Sequence, residues 1–128
     1  MKTDNISLSE FLELVFVAMF DKKLKPPNDY EPWHRTLYEA KRSKNCPVKA
    51  VRELAMDSDG PHMTCRDFAE TFEGFVITGC IEIVFPRGRY QFDPALIEYW
   101  RKKWQRENLP VRTKKYVEGF ADAIEKSM

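Results

Sequence analysis

Between residues 64 and 93 the spacing of apolar positions changes from a helical period to a strand period. Phe68, Phe72, Phe75 and Val76 fall at i, i+4, i+7 and i+8, so they share one face of a 3.6-residue turn and predict a helix with an aromatic, core-facing side. Thr64, three residues before Asp67, approximates a capping box at its start, and Gly79 supplies a left-handed stop at its end. Beyond the glycine, Ile81, Ile83 and Phe85 alternate with Cys80, Glu82 and Val84. Tyr90 and Phe92 alternate with Arg89, Gln91 and Asp93, and Pro86-Arg87-Gly88 forms the turn of a hairpin. Two strands alone are marginal in water, so this hairpin must lean on helices.

The rest of the chain reads as helix. Ser7 and Glu10 form a capping box for a helix from about Leu8 to Phe20 that is apolar on nearly every side. Such a helix is either the centre of the domain or is covered in part by a second subunit. Lys22 to Asn28 is a basic connector whose paired prolines cannot continue a helix. A second helix, opened by Asp29 or Glu31 with Pro32, carries Trp33, Thr36, Leu37 and Ala40 on one side. Asn45 with Pro47 opens a third, short helix bearing Val48, Val51, Leu54 and Ala55, and Asp57-Ser58-Asp59-Gly60-Pro61 reads as the turn that ends it. After the hairpin, Asp93-Pro94 restarts a helix with Ile97, Trp100 and Trp104 in register. Pro110 then separates it from a last helix marked by Val117, Phe120, Ala121 and Ile124.

A length of 128 residues suits one domain with one core. The 21 basic and 20 acidic residues leave a net charge of +1, which excludes a surface that is cationic throughout and confines any binding of polyanions to a local patch. Three cysteines without paired spacing predict free thiols and a reducing, cytoplasmic compartment. The apolar run from Phe11 to Phe20 contains Glu13 and has about half the length a bilayer span requires, so no membrane association is expected.

The order of short helix, turn, helix and hairpin from about Asn45 to Asp93 resembles the winged helix-turn-helix group. That resemblance implies an α+β, mostly helical fold, with a winged-helix-like core, one β-hairpin and additional N- and C-terminal helices. It also implies duplex DNA as a partner, with the helix before the hairpin in the major groove and the wing on phosphates or in the minor groove. Carried over by position, Arg87 and Arg89 become the phosphate contacts of the wing, and Cys65, Arg66, Ala69, Glu70, Thr71 and Glu73 line the reading helix. The outward face of that helix departs from the pattern, because Asp67, Glu70 and Glu73 stand against the single cation Arg66 and phosphates repel carboxylates.

A second basic stretch follows the hairpin. Arg101, Lys102, Lys103, Arg106, Arg112, Lys114 and Lys115 face one acid, Glu107, between residues 101 and 115. With Trp100 and Trp104 interleaved this could be a nucleic-acid patch, but the tryptophans share the face of Ile97 and are better placed in the core. Lys102, Lys103 and Arg106 remain as phosphate candidates, and Glu98 is placed to pair with Lys102 at i, i+4.

Catalytic and metal chemistry have little footing. His62, Cys65 and Cys80 lack the spacing of a zinc site, and Asp57-Ser58-Asp59-Gly60 lacks the later acid of a calcium loop, since Phe68 stands there. A nucleophile pair of Cys65 with His62, its thiol acidified by the helix start, has no orienting third group. The expectation is therefore a non-enzymatic regulatory module without cofactor or metal, contacting nucleic acid through Arg66, Arg87, Arg89, Lys102, Lys103 and Arg106. The alternative is a protein-interaction or homodimerisation module built on the same hairpin and the apolar first helix.

Overall fold

The computed structural model describes residues 6–59, 62–84 and 88–128. Within them the chain forms α1 (Leu8–Asp21), α2 (Glu31–Arg42), α3 (Lys49–Arg52), β1 (Asp57–Asp59), β2 (His62–Thr64), α4 (Arg66–Ile77), β3 (Ile81–Val84), β4 (Arg89–Phe92), α5 (Pro94–Glu107) and α6 (Val111–Ser127). This is an α+β, mostly helical architecture.

Helix α1 is its centre. Ser7 Oγ accepts from the Glu10 N–H at 3.1 Å and Glu10 Oε1 accepts from the Ser7 N–H at 3.0 Å, which satisfies two orphan donors and sets the start of the helix. Phe11, Leu12, Val15, Phe16 and Met19 are fully buried, because α4, α5 and α6 of the same chain pack around them. That arrangement answers the question raised by a helix apolar on nearly every side: its cover comes chiefly from the chain itself, with Leu14, Val17 and Ala18 half-buried against the same core.

Phe16 joins the layers. Its ring meets Trp33 of α2, Phe72 and Phe75 of α4 edge-on at 5.8, 6.1 and 5.1 Å, and inclines onto Phe92 of β4 at 5.3 Å and Trp100 of α5 at 6.0 Å. Aromatic pairs of this kind contribute about 0.5–1.5 kcal/mol each beyond burial, so Phe16 fixes the relative placement of four elements.

The strands β3 and β4 pair antiparallel with Ile81 opposite Phe92, Glu82 opposite Gln91, Ile83 opposite Tyr90 and Val84 opposite Arg89. Ile81 and Phe92 are buried and Tyr90 meets the Phe72 ring edge-on at 5.1 Å. The base of the ribbon thus rests on α4 and α1, while Ile83 and Val84 are partly exposed, at 42% and 41%. The predicted partner Phe85 and the turn residues Pro86 and Arg87 lie outside the described residues.

Two local expectations are corrected. The third helix is shorter than expected, closing at Glu53 after Lys49–Arg52, so residues 57–64 do not end it: Asp57 pairs with Thr64 and Ser58 with Met63 in a second short ribbon whose β2 packs on α2. Helix α4 consequently begins at Arg66, with Cys65 and not Thr64 at its cap, and the Thr64 hydroxyl donates to the Asp57 carbonyl at 3.4 Å. The stop is as expected. Gly79 adopts φ +82, and the Cys80 and Gly79 amides close back onto Phe75 and Val76 at 2.8 and 3.1 Å.

Candidate nucleic-acid interface

The outward side of α4 carries Arg66, Asp67, Glu70 and Glu73, all exposed, and ends on Ile77, which is 83% exposed. Arg66 is turned onto its own helix, where its Nε lies 3.1 Å from Glu70 Oε1. The Thr71 hydroxyl donates back to the Asp67 carbonyl at 2.7 Å. What faces outward is therefore carboxylate and aliphatic, with no free cation among the described residues of this helix.

The start of α4 is held from elsewhere. His34 on α2 accepts the Cys65 amide at Nδ1, 3.0 Å away, between the rings of Tyr30 and Phe68. Burial lowers the His34 pKa and favours the neutral ring that this bond requires. Cys65 is fully buried, and burial pushes its thiol up, the opposite of the acidification expected at a helix start. Desolvation outweighs the backbone hydrogen bonds that pull the other way. The side chain of His62, weighed above as a partner of Cys65, lies outside what is described. Among the described residues no three His, Cys, Asp or Glu side chains gather closely enough to hold a metal ion.

The cations of α5 divide into two kinds. Lys103 Nζ lies 2.9 Å from Glu13 Oε1 of α1, and the same oxygen accepts from Trp104 Nε1 at 3.1 Å. Glu13 is only 12% exposed, so Lys103 serves the junction of α1 and α5 and is not free for a ligand. Arg101 binds Asp21 of α1 and Glu98, which takes Glu98 away from Lys102, the partner that i, i+4 spacing suggested. Lys102 and Arg106 stand one turn apart, exposed, and enter no salt bridge among the described residues.

On the ribbon, Arg87 lies outside the described residues, and Arg89 is exposed without an acidic partner among them. Strand alternation puts Arg89 and Gln91 on the outer face and Tyr90 and Phe92 on the inner one. Tyr90 stands beside Tyr30, whose hydroxyl is pushed up to about 12 by burial first and then by Tyr90 and Glu73. Of the six residues selected from the sequence, Arg89, Lys102 and Arg106 are thus available, and Arg66 and Lys103 are engaged. Periodicity passed over two further cations, Lys23 and Lys25, which flank the outer face of β4; the run Lys22-Lys23-Leu24-Lys25 was their only signal in the sequence.

No helix among the described residues is long and apolar enough to cross a membrane. Comparison with known proteins gives no match to a family model, a curated protein or a solved structure.

Proposed function

We propose that this chain is a non-enzymatic regulatory module of winged-helix-like design that associates with duplex DNA through its phosphates, using the β3–β4 ribbon and the exposed side of α5. The observation that carries the reading is the sorting of cations. On the ribbon and the helix that follows it, Arg101 and Lys103 pair with acids, whereas Arg89, Lys102 and Arg106 are exposed and enter no salt bridge among the described residues, a state they share with cations elsewhere such as Lys44 and Lys114. The acids of α4 favour docking by the wing side over insertion of that helix into the major groove. The three cysteines are free thiols, which supports a reducing, cytoplasmic setting. The test is retention on a generic duplex at low salt. An Arg89→Ala/Lys102→Ala/Arg106→Ala variant should lose most of it, and a wild-type protein that shows none even at low salt contradicts the reading.

A second reading, a protein-interaction module, is favoured by the apolar residues left in solvent around the ribbon: Ile77, Tyr99, Ile83 and Val84. The apolar first helix, previously a candidate for such a contact, is occupied within the fold. A concentration-dependent increase in mass that disappears in Ile77→Asp or Ile83→Asp, together with no retention on DNA, would support this reading in place of the first.

A further inference from the structure

We infer that the connector after α1 is a preformed phosphate clamp for the backbone of duplex DNA, with Lys23 and Lys25 as its gripping residues beside Arg89 and Gln91. This rests on the nucleic-acid reading above and adds to its contacts on the ribbon and α5 the loop that borders the ribbon.

The clamp follows from how α1 ends. The Lys23 amide donates to Phe20 O and the Leu24 amide to Met19 O, both at 2.9 Å, and Lys23 sits in the left-handed region at φ +61. It is the same double closure that ends α4, where the left-handed position belongs to Gly79. Beyond the closure Leu24 packs against the core and Pro26 and Pro27 are buried. The intervening Lys23 and Lys25 are therefore directed outward from a backbone pinned on both sides. A loop ordered in advance surrenders little entropy when it takes hold of a ligand.

The loop and the ribbon share a groove of about 510 Å³, bordered by Lys23 and Lys25 on one side and Gln91 and Pro94 on the other, with Phe92 beneath. Its rim carries more cations than acids. Lys22 is drawn off to Asp122, and Asp21, the acid within the groove, shares the Arg101 guanidinium with Glu98. Lys23 and Lys25 make no ion pair among the described residues, and Arg89 extends the positive edge along the outer face of β4. Glu82, opposite Gln91, and Asp21 in the groove are the acids that stand against these three cations. The groove offers no open ring on which a base could stack, since Phe92 is buried and Phe20 half-buried against the core. Stacked single strands need such a platform, whereas the phosphates of a duplex need only the cations.

The experiment measures the dependence of duplex affinity on salt between 50 and 200 mM (about the range over which phosphate contacts are resolved) for the wild type and Lys23→Gly/Lys25→Ala. Glycine removes the charge while keeping the left-handed closure, and thermal melts verify that the variant folds. Each phosphate contact contributes about 0.9 to the slope of log K against log salt, so the double variant should flatten it by about 1.8 with any duplex sequence. A wild type that binds with a slope unchanged in the variant overturns the clamp and leaves the broader reading standing. Tighter binding of a single strand than of the duplex overturns the choice of ligand, and absence of wild-type binding even at low salt overturns both.

Discussion

Replacing Glu13 by alanine should reveal that Lys103 is part of the fold. One carboxylate oxygen accepts from Lys103 Nζ and from the indole N–H of Trp104, a residue only 5% exposed. Without it, the buried indole donor loses its acceptor, at about 1–3 kcal/mol. The ammonium, 30% exposed, can turn to water, so the lost ion pair adds about 1 kcal/mol or less. The expected loss is about 2–3 kcal/mol in urea unfolding at unchanged m value, or a fall in Tm on the order of 10 °C. Lys103→Met keeps the aliphatic stem and should cost about 1 kcal/mol, and a double-mutant cycle should give a coupling of about 0.5–1.5 kcal/mol. A Glu13→Ala loss below about 0.5 kcal/mol, with the two changes additive, would refute the reasoning and return Lys103 to the pool of free cations.

His34 gives a pH dependence of fixed sign. Its folded pKa lies below the unfolded value of about 6.5, so its contribution is complete above that pH and is lost as pH falls, because the unfolded chain takes up the proton first. Unfolding free energies at pH 7.5 and 5 (about one unit or more to either side) should differ more in the wild type than in His34→Ala; equal differences would remove the Cys65 cap from the account. At the left-handed ends of α1 and α4 opposite substitutions should have opposite effects. Lys23→Gly should raise stability by about 0.5–1 kcal/mol, the relief of a strained side chain less the entropy of an unfolded glycine, while Gly79→Ala should lower it by about 1–2 kcal/mol. Chemical denaturation checks both, and a Lys23→Gly variant that is destabilised would show that the loop needs its side chain for packing.

The elements visible in the sequence are those whose information is local. Phe68, Phe72 and Phe75 mark α4 because each must reach the same core, and the ribbon alternates because Ile81, Ile83, Tyr90 and Phe92 share the inner face, of which Ile81 and Phe92 at the base are buried. The β1–β2 pair was not legible, since Asp57-Ser58-Asp59 and His62-Met63-Thr64 show no apolar alternation and rest on α2, distant in sequence. The cap of α4 was misplaced for the same reason: its acceptor is a histidine 31 residues away. Charges suffer most. Lys102 and Lys103 are equivalent as letters, but Lys103 meets an acid 90 residues earlier and Lys102 meets none among the described residues. Which cations remain for a ligand is decided by tertiary pairing, and Lys23 and Lys25 emerge only when the loop and β4 are seen side by side.

The most direct test is to map backbone amide shifts by NMR as the protein is titrated with a short duplex. Changes concentrated at Lys23 to Lys25 and Arg89 to Gln91, fading as salt is raised, are the predicted result. Changes centred on Asp67, Glu70 and Glu73 of α4, or none at low salt, would contradict it.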